Sequence, residues 1–256
     1  MRVMSAGDGY KYLLRTVAAA DGDRPLSTPL TRYYAEAGTP PGRWLGSGLP
    51  ALADGRIDAG SRVSEAQLEL LLGMGRDPAT GAPLGRAYPV YVASDASLER
   101  PTPDGPAPTH RRAVAGYDFT FSLPKSASVL WAVADANTQA TIAAAHHRAI
   151  DDVLAFMERE LAATRAGEAG RDGAVAQVEV HGLIAAAFDH FDSRAGDPQL
   201  HTHVVVSNKV RTVFDGKWRS LDGRPLHAAT VALSELHTAV FADHLSRALG
   251  SSGNRW

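Results

Sequence analysis

Hydrophobic positions along the chain follow two periods, and each change of period marks an element. Gly116 to Ser122 alternates large apolar with small or polar side chains, which predicts a strand with one buried face. After Pro124 the spacing turns helical. Lys125 to about Ala134 predicts one helix, and Thr138 to about Arg165 a longer one with an apolar stripe of Ile142, Ala145, Ile150, Val153, Leu154, Met157 and Leu161. Val175 to Phe188 and Leu200 to Val213 read as extended runs, Asp215 and Gly216 as a hairpin turn, and Ala228 to Leu249 as a last helix.

Toward the N terminus, a short apolar start (Met1 to Met4) precedes a helix over Tyr10 to Ala20 and a shorter one over Pro29 to Ala37. Residues 38–60 read as loop. Ser64 to Leu72 reads as a compact helix with Ser64 as its N-cap. Residues 76–112 are rich in Pro, Gly, Ala and Asp, with only Tyr88 to Val92 extended, and read as a surface excursion. Strands in consecutive antiparallel order with helices interspersed, and no regular βα alternation, give an α+β fold in a single domain over 1–256.

Composition narrows the chemistry. With 256 residues, 45% of them hydrophobic, the chain can bury a real core. No apolar run reaches membrane-spanning length, and the first ten residues lack the apolar region of a secretory leader, so the expected location is the cytoplasm. There is no cysteine, so a tight metal site must draw on the 10 histidines and the carboxylates. The net charge of −2 argues mildly against nucleic acid, but it hides a polarity: residues 151–200 hold 4 basic against 10 acidic side chains, and residues 201–256 hold 7 against 4.

The informative stretch runs from Asp189 to His203. His201 and His203 lie two apart in an extended run, so both imidazoles project from one face. A His-x-His pair alone is more often an ordinary polar pair on a solvated strand. His190 changes that balance, because the Gly196-Asp197-Pro198 turn lets the chain return and bring a third ring alongside. Three neutral imidazoles leave coordination positions open on a divalent ion, the arrangement of a catalytic site. His110, His146, His147, His181, His227, His237 and His244 have no such spacing and read as exposed or core-edge residues.

Asp118, amid Tyr117, Phe119 and Phe121, is a candidate to orient a ligand imidazole, with a solvated strand aspartate as the alternative. Lys125 and Ser126 either face an anionic substrate or simply start a helix. Tyr10, Tyr12, Tyr33 and Tyr34 are candidate nucleophiles, since a phenol with a pKa near ~10 becomes a useful nucleophile once a base or cation favours its phenolate, with packing around a satisfied hydroxyl as the more frequent role of a tyrosine. Lys209, Arg211, Lys217, Arg219 and Arg224 cluster around Trp218, a pattern that follows a nucleic-acid backbone and stacks on an unpaired base, or else forms a solvated hairpin.

Three segments together, YYAEAGTPPGRWLGSGL (33–49), GYDFTFSLPKSASVLWA (116–132) and HFDSRAGDPQLHTHVVVSN (190–208), resemble the N-terminal relaxase domain of MobF-class conjugative relaxases, the TrwC/TraI type of the HUH endonucleases. The resemblance runs from about Ser5 to Leu249. It implies a five-stranded antiparallel sheet related to ferredoxin-like palms, a divalent metal (Mg or Mn, with Zn possible) on His190, His201 and His203, and support from Asp118. The implied reaction is strand-specific nicking and joining at an origin of transfer through a 5′-phosphotyrosine, with single-stranded DNA as partner. The match of Ser5-Ala6-Gly7 puts Tyr12 first as nucleophile and the match of YYAEAG puts Tyr33 next, with Tyr10 and Tyr34 as alternatives. After Leu249 the family continues into further strands, a DNA-gripping segment and usually a helicase, so the resemblance implies a domain cut short at its C terminus. The alternatives are a rolling-circle replication initiator, a transposase of the same chemistry, and a DNA-binding module with a structural metal; chain order, tyrosines before the histidine motif, favours conjugation.

Overall fold

The computed structural model describes residues 1–7, 9–12, 40–52, 55–88, 90–91, 111–167, 176–193 and 195–252. The chain begins with strand β1 (Arg2–Ser5), a one-turn helix α1 (Gly9–Tyr12), the short strand β2 (Arg43–Leu45) and helix α2 (Glu65–Leu68), which widens into a π-turn over Glu69–Met74. A ribbon of β3 (Val90–Tyr91) and β4 (Arg111–Arg112) leads to the long strand β5 (Val114–Ser122), then helices α3 (Lys125–Val133) and α4 (Ala136–Glu160). After β6 (Ala163–Ala166) and β7 (Ala176–Glu179) come β8 (Ala185–Asp192), β9 (Pro198–Ser207), β10 (Lys209–Arg211), β11 (Trp218–Ser220), α5 (Gly223–Ala228) and α6 (Thr230–Ser252).

Five strands form one sheet in the order β1-β5-β9-β8-β2, every pair antiparallel. The α+β class and the five strands agree with expectation, but the strands are not consecutive. Among neighbours in this sheet only β8 and β9 are consecutive in the chain, while β5 pairs with the distant β1 and β9, and β2 sits at the edge beside β8. Four boundaries also differ from the periodicity. The helix expected through about Arg165 ends at Glu160, before strand β6 over Ala163–Ala166. The expected loop at 38–60 contains β2, whose Trp44 and Leu45 are buried in a strand too short for alternation to register. The run from Val175 to Phe188 is split at Gly182, where φ is +75° and a Cβ would stand 1.9 Å from Ser47 Oγ. The run from Leu200 to Val213 is split at Asn208, whose backbone N–H donates to Ala115 and whose side-chain amide donates to Val114.

Parity divides the sheet into two faces. Val205, Ala186 and Phe188 join Trp44, Leu68, Leu71 and Leu72 in a core under α2. Val204, Val206, Ala185, Ala187, Tyr117, Phe119 and Phe121 join Ile150, Val153 and Met157 of α4 and Leu233 of α6 on the other side. Each β9 neighbour therefore packs against a different layer, the consequence of a two-residue side-chain period. The start of α2 is fixed by a capping box, Ser64 accepting from the Gln67 N–H while Gln67 accepts from the Ser64 N–H. Within 76–112, the expected surface excursion is anchored at its start: Leu84 is buried in the core under α2, and buried Asp77 accepts from the backbone N–H groups of Ala79 and Thr80.

Candidate metal centre and its surroundings

Strand register builds the site. His190 of β8 pairs with His201 of β9, and Thr120 and Ser122 of β5 pair with His203 and His201, so all these side chains leave the sheet on one face. The three histidines are buried, and their candidate ligand atoms lie within 4.8 Å of one another. Ring centroids are 4.7 Å apart for His190 and His201, 4.8 Å for His190 and His203, and 5.5 Å for His201 and His203.

Two rings have assigned orientations. His203 Nδ1 lies 2.9 and 3.0 Å from the two carboxylate oxygens of Asp118, which accept its N–H, and Thr120 Oγ1 stands 3.4 Å away. His201 Nδ1 donates to the carbonyl of Gln199 at 2.8 Å. Each bond puts the proton on Nδ1 and the lone pair on Nε2, the arrangement a carboxylate or carbonyl commonly imposes on a metal-binding imidazole. An all-nitrogen set of this kind suits a divalent transition ion, and a set of three leaves positions for substrate. The residues therefore fit a metal ion.

The opposite face of the same two strands carries a second polar cluster. Thr202, between the two β9 histidines, is fully buried and donates to Asp189 Oδ1 at 2.6 Å. Asp189 Oδ2 accepts from Arg43 of β2 at 2.5 Å and lies 3.0 Å from His147 Nε2 of α4. His146 Nε2 of α4 is 2.9 Å from Thr202 Oγ1, and His146 Nδ1 is 3.0 Å from His237 Nε2 of α6. Burial, then the neighbouring His237, holds His146 well below the usual histidine range, and burial lowers His237 to about 4. Burial alone would raise the Asp189 carboxyl; the hydrogen bond from His147, with Arg43 and Thr202, overrides it and keeps Asp189 well below the usual carboxylate range. His146 and His237 are thus not exposed or core-edge residues, as their spacing suggested. The signal was present, since His146 lies four residues after Ile142 on the buried stripe of α4.

Other expected site residues fall in different places. Tyr10 and Tyr12 belong to α1, which follows β1 and packs against the π-turn after α2. Tyr33 and Tyr34 lie outside the described residues, as does His110. Lys125 Nζ donates to the Pro198 carbonyl at 2.9 Å, beside the turn that leads into β9, and Ser126 is exposed. Of the basic cluster, Lys209 is buried, donating to the Arg86 carbonyl at 2.7 Å above the Tyr88 ring, and burial lowers its pKa. Arg211 donates to the Gly216 carbonyl, Arg219 is held by Asp215 and Arg224 by Asp222, while Lys217 is exposed 3.8 Å from Asp215. Trp218 is partly buried against the core under α2. A groove of about 480 Å³ gathers Arg86, Arg165, Lys209, Trp218 and Arg219. Phe214 at the hairpin tip, 62% exposed beneath the Arg219 guanidinium, had no periodic signal to mark it.

A family model described as TrwC relaxase matches residues 6–255. The multifunctional conjugation protein TraI of Escherichia coli is 40% identical over 106 residues, 41% of this chain and 6% of that protein, so the chain spans a small part of the curated relatives it matches. Among solved structures, a copper-bound conjugative relaxase TrwC in complex with oriT DNA is 27% identical with a TM-score of 0.64, covering 96% of this chain and 69% of that one. A TrwC complex with a 27-mer DNA comprising the recognition hairpin and cleavage site is 31% identical with a TM-score of 0.58, covering 80% and 62%.

Proposed function

Because the chain belongs to the TrwC relaxase family, we propose that it nicks and rejoins one strand of DNA at an origin of transfer, using a tyrosine near its N terminus and a divalent cation on His190, His201 and His203. The observation that carries this reading is the convergence of three buried imidazoles within 4.8 Å, with the Asp118 carboxylate behind one of them.

The chain's own residues divide the work. Asp118 fixes the His203 tautomer, and the Gln199 carbonyl fixes that of His201. When bound, the cation supplies Lewis-acid stabilisation of a phosphodiester's non-bridging oxygens. The phenolic oxygen of Tyr12, or of Tyr33 in a second transfer, attacks the scissile phosphorus; its bond to phosphorus forms as the bond to the 3′ oxygen breaks. The phenol's proton is lost and the departing 3′ oxygen gains one, so one phosphoester replaces another and rejoining needs no nucleotide cofactor. Tyr10 and Tyr34 are the alternatives in each pair. Lys217 and Arg211, with the Arg86 and Arg165 side chains of the neighbouring groove, offer positive charge to the DNA backbone, and Trp218 and Phe214 offer surfaces for bases. The site works in the cytoplasm, on DNA presented single-stranded, as part of a longer conjugation protein.

The test is an oligonucleotide carrying the transfer-origin cleavage site, incubated with protein and Mn²⁺ or Mg²⁺. A covalent adduct that survives denaturation is expected, and Tyr12→Phe should abolish or sharply reduce it. Binding without an adduct would replace the relaxase reading with a DNA-binding module, and an undiminished adduct in Tyr12→Phe would move the nucleophile to Tyr33.

A further inference from the structure

The cluster behind the metal site has a single consistent proton arrangement. The Thr202 hydroxyl donates to Asp189 and has a lone pair left for His146. His146 therefore carries its proton on Nε2. Being neutral, it accepts on Nδ1 from the Nε2–H of His237. The result is a directed chain, His237 to His146 to Thr202 to Asp189, closed by Arg43 and His147 at the carboxylate. It joins β2, β8, β9, α4 and α6.

Its place in the sheet is specific. Asp189 pairs with Thr202 one rung from the His190–His201 pair, and immediately after His190 the register of β8 and β9 shifts. The ladder is thus irregular beside the metal ligand. A one-residue slip there would turn His190 to the wrong face and separate it from His201 and His203. The Thr202–Asp189 bond ties the two strands at the rung next to that last regular one, and each end of the bond is adjacent in sequence to a ligand histidine.

We propose that Thr202 is a positioning residue for the metal centre: with Asp189, His146 and His237 it locks the β8–β9 register from the back of the sheet, and so holds His190 against the other two imidazoles. The consequence for metal binding rests on the metal-centre reading above, whereas the register lock does not. Thr202→Val keeps the shape and removes the hydroxyl. It should weaken Mn²⁺ or Co²⁺ affinity by about tenfold, near the lower end for loss of a supporting contact, and alter the visible spectrum of bound Co²⁺. It should also speed amide exchange at His190 and His201 in the metal-free protein. Thr202→Ser should restore both, because it returns the hydroxyl. Met157→Ala, a core change in α4 about three turns from His146, controls for loss of stability and should leave metal affinity at the wild-type value. Unchanged exchange in Thr202→Val would overturn the register lock, and wild-type metal affinity in that variant would overturn its role at the centre. A wild-type protein that takes up neither ion would overturn the metal reading instead, and exchange at His190 would still decide the lock.

Discussion

The two faces of β9 use the same side chain for opposite purposes. On one face, His201 and His203 join His190, and three sets of ring nitrogens converge on one another within 4.8 Å. On the other, His146 and His237 are as deeply buried, but both His146 nitrogens are taken up, one by a threonine and one by His237 Nε2. Burial therefore does not separate a ligand histidine from a structural one here. What separates them is whether the protein itself consumes the lone pairs. The carboxylates differ in parallel: Asp118 receives one N–H on both oxygens, whereas Asp189 is shared among a guanidinium, an imidazole and a hydroxyl.

The contrast is broken most severely by removing one histidine from each face. His203→Ala deletes one of three ligands and should eliminate measurable binding of Mn²⁺ in calorimetry and the covalent adduct with it, at a cost in the urea midpoint because buried Asp118 loses its N–H donor. His237→Leu leaves all three ligands in place and should lower the midpoint clearly while metal still binds, only more weakly, because it strips His146 of its donor in a closed core. Equal metal content in His203→Ala and wild type would remove His203 from the ligand set.

A second prediction uses pH on the metal-free protein. His237 titrates at about 4 when folded and near 6.5 when unfolded. The unfolded chain therefore binds the proton first as pH falls, and stability present above about pH 6.5 is lost progressively toward pH 4. Between pH 7 and pH 5 this one group accounts for about 2 kcal/mol. His237→Gln, whose amide can still donate to His146, should flatten that part of the stability curve, and urea unfolding at both pH values measures it. An identical slope in the variant would show that His237 is already protonated in the fold.

How much of this was legible in the sequence follows from range. The metal triad was readable because two ligands sit two apart in a strand and the third lies just across a Gly-Asp-Pro turn; parity and one return of the chain suffice. Asp118 was suspected from its apolar neighbours, but its partner lies 85 residues away and only the β5–β9 register brings them together. The cluster of Thr202, His146 and His237 was missed for the same reason. His146 looked like an isolated polar residue until α4 packed on the back of the sheet and α6 on α4. β2 was missed because three residues cannot display a period, and its pairing with β8 is decided by distant partners. Lys209 was legible as a cation, yet not as one buried over Tyr88.

The smallest expected effect compares the two carboxylates directly. Asp118→Asn keeps an oxygen that can accept the His203 Nδ1–H, so the tautomer and ring orientation survive in at least one amide rotamer. What is lost is the negative charge that makes the imidazole a better donor to a cation, together with the second of the two near-equal contacts. Metal affinity should fall by about tenfold, at the mild end of the range for such partners, with the adduct reduced and its chemistry intact at saturating Mn²⁺. Asp118→Ala, which also frees the ring to turn, should lose more and should not be rescued by added metal to the same degree. If Asn and Ala are equally impaired at saturating Mn²⁺, charge rather than orientation is what Asp118 supplies; if Asn matches wild type in affinity, the carboxylate acts on His203 through geometry alone, as Asp189 is proposed to act on the strand behind it.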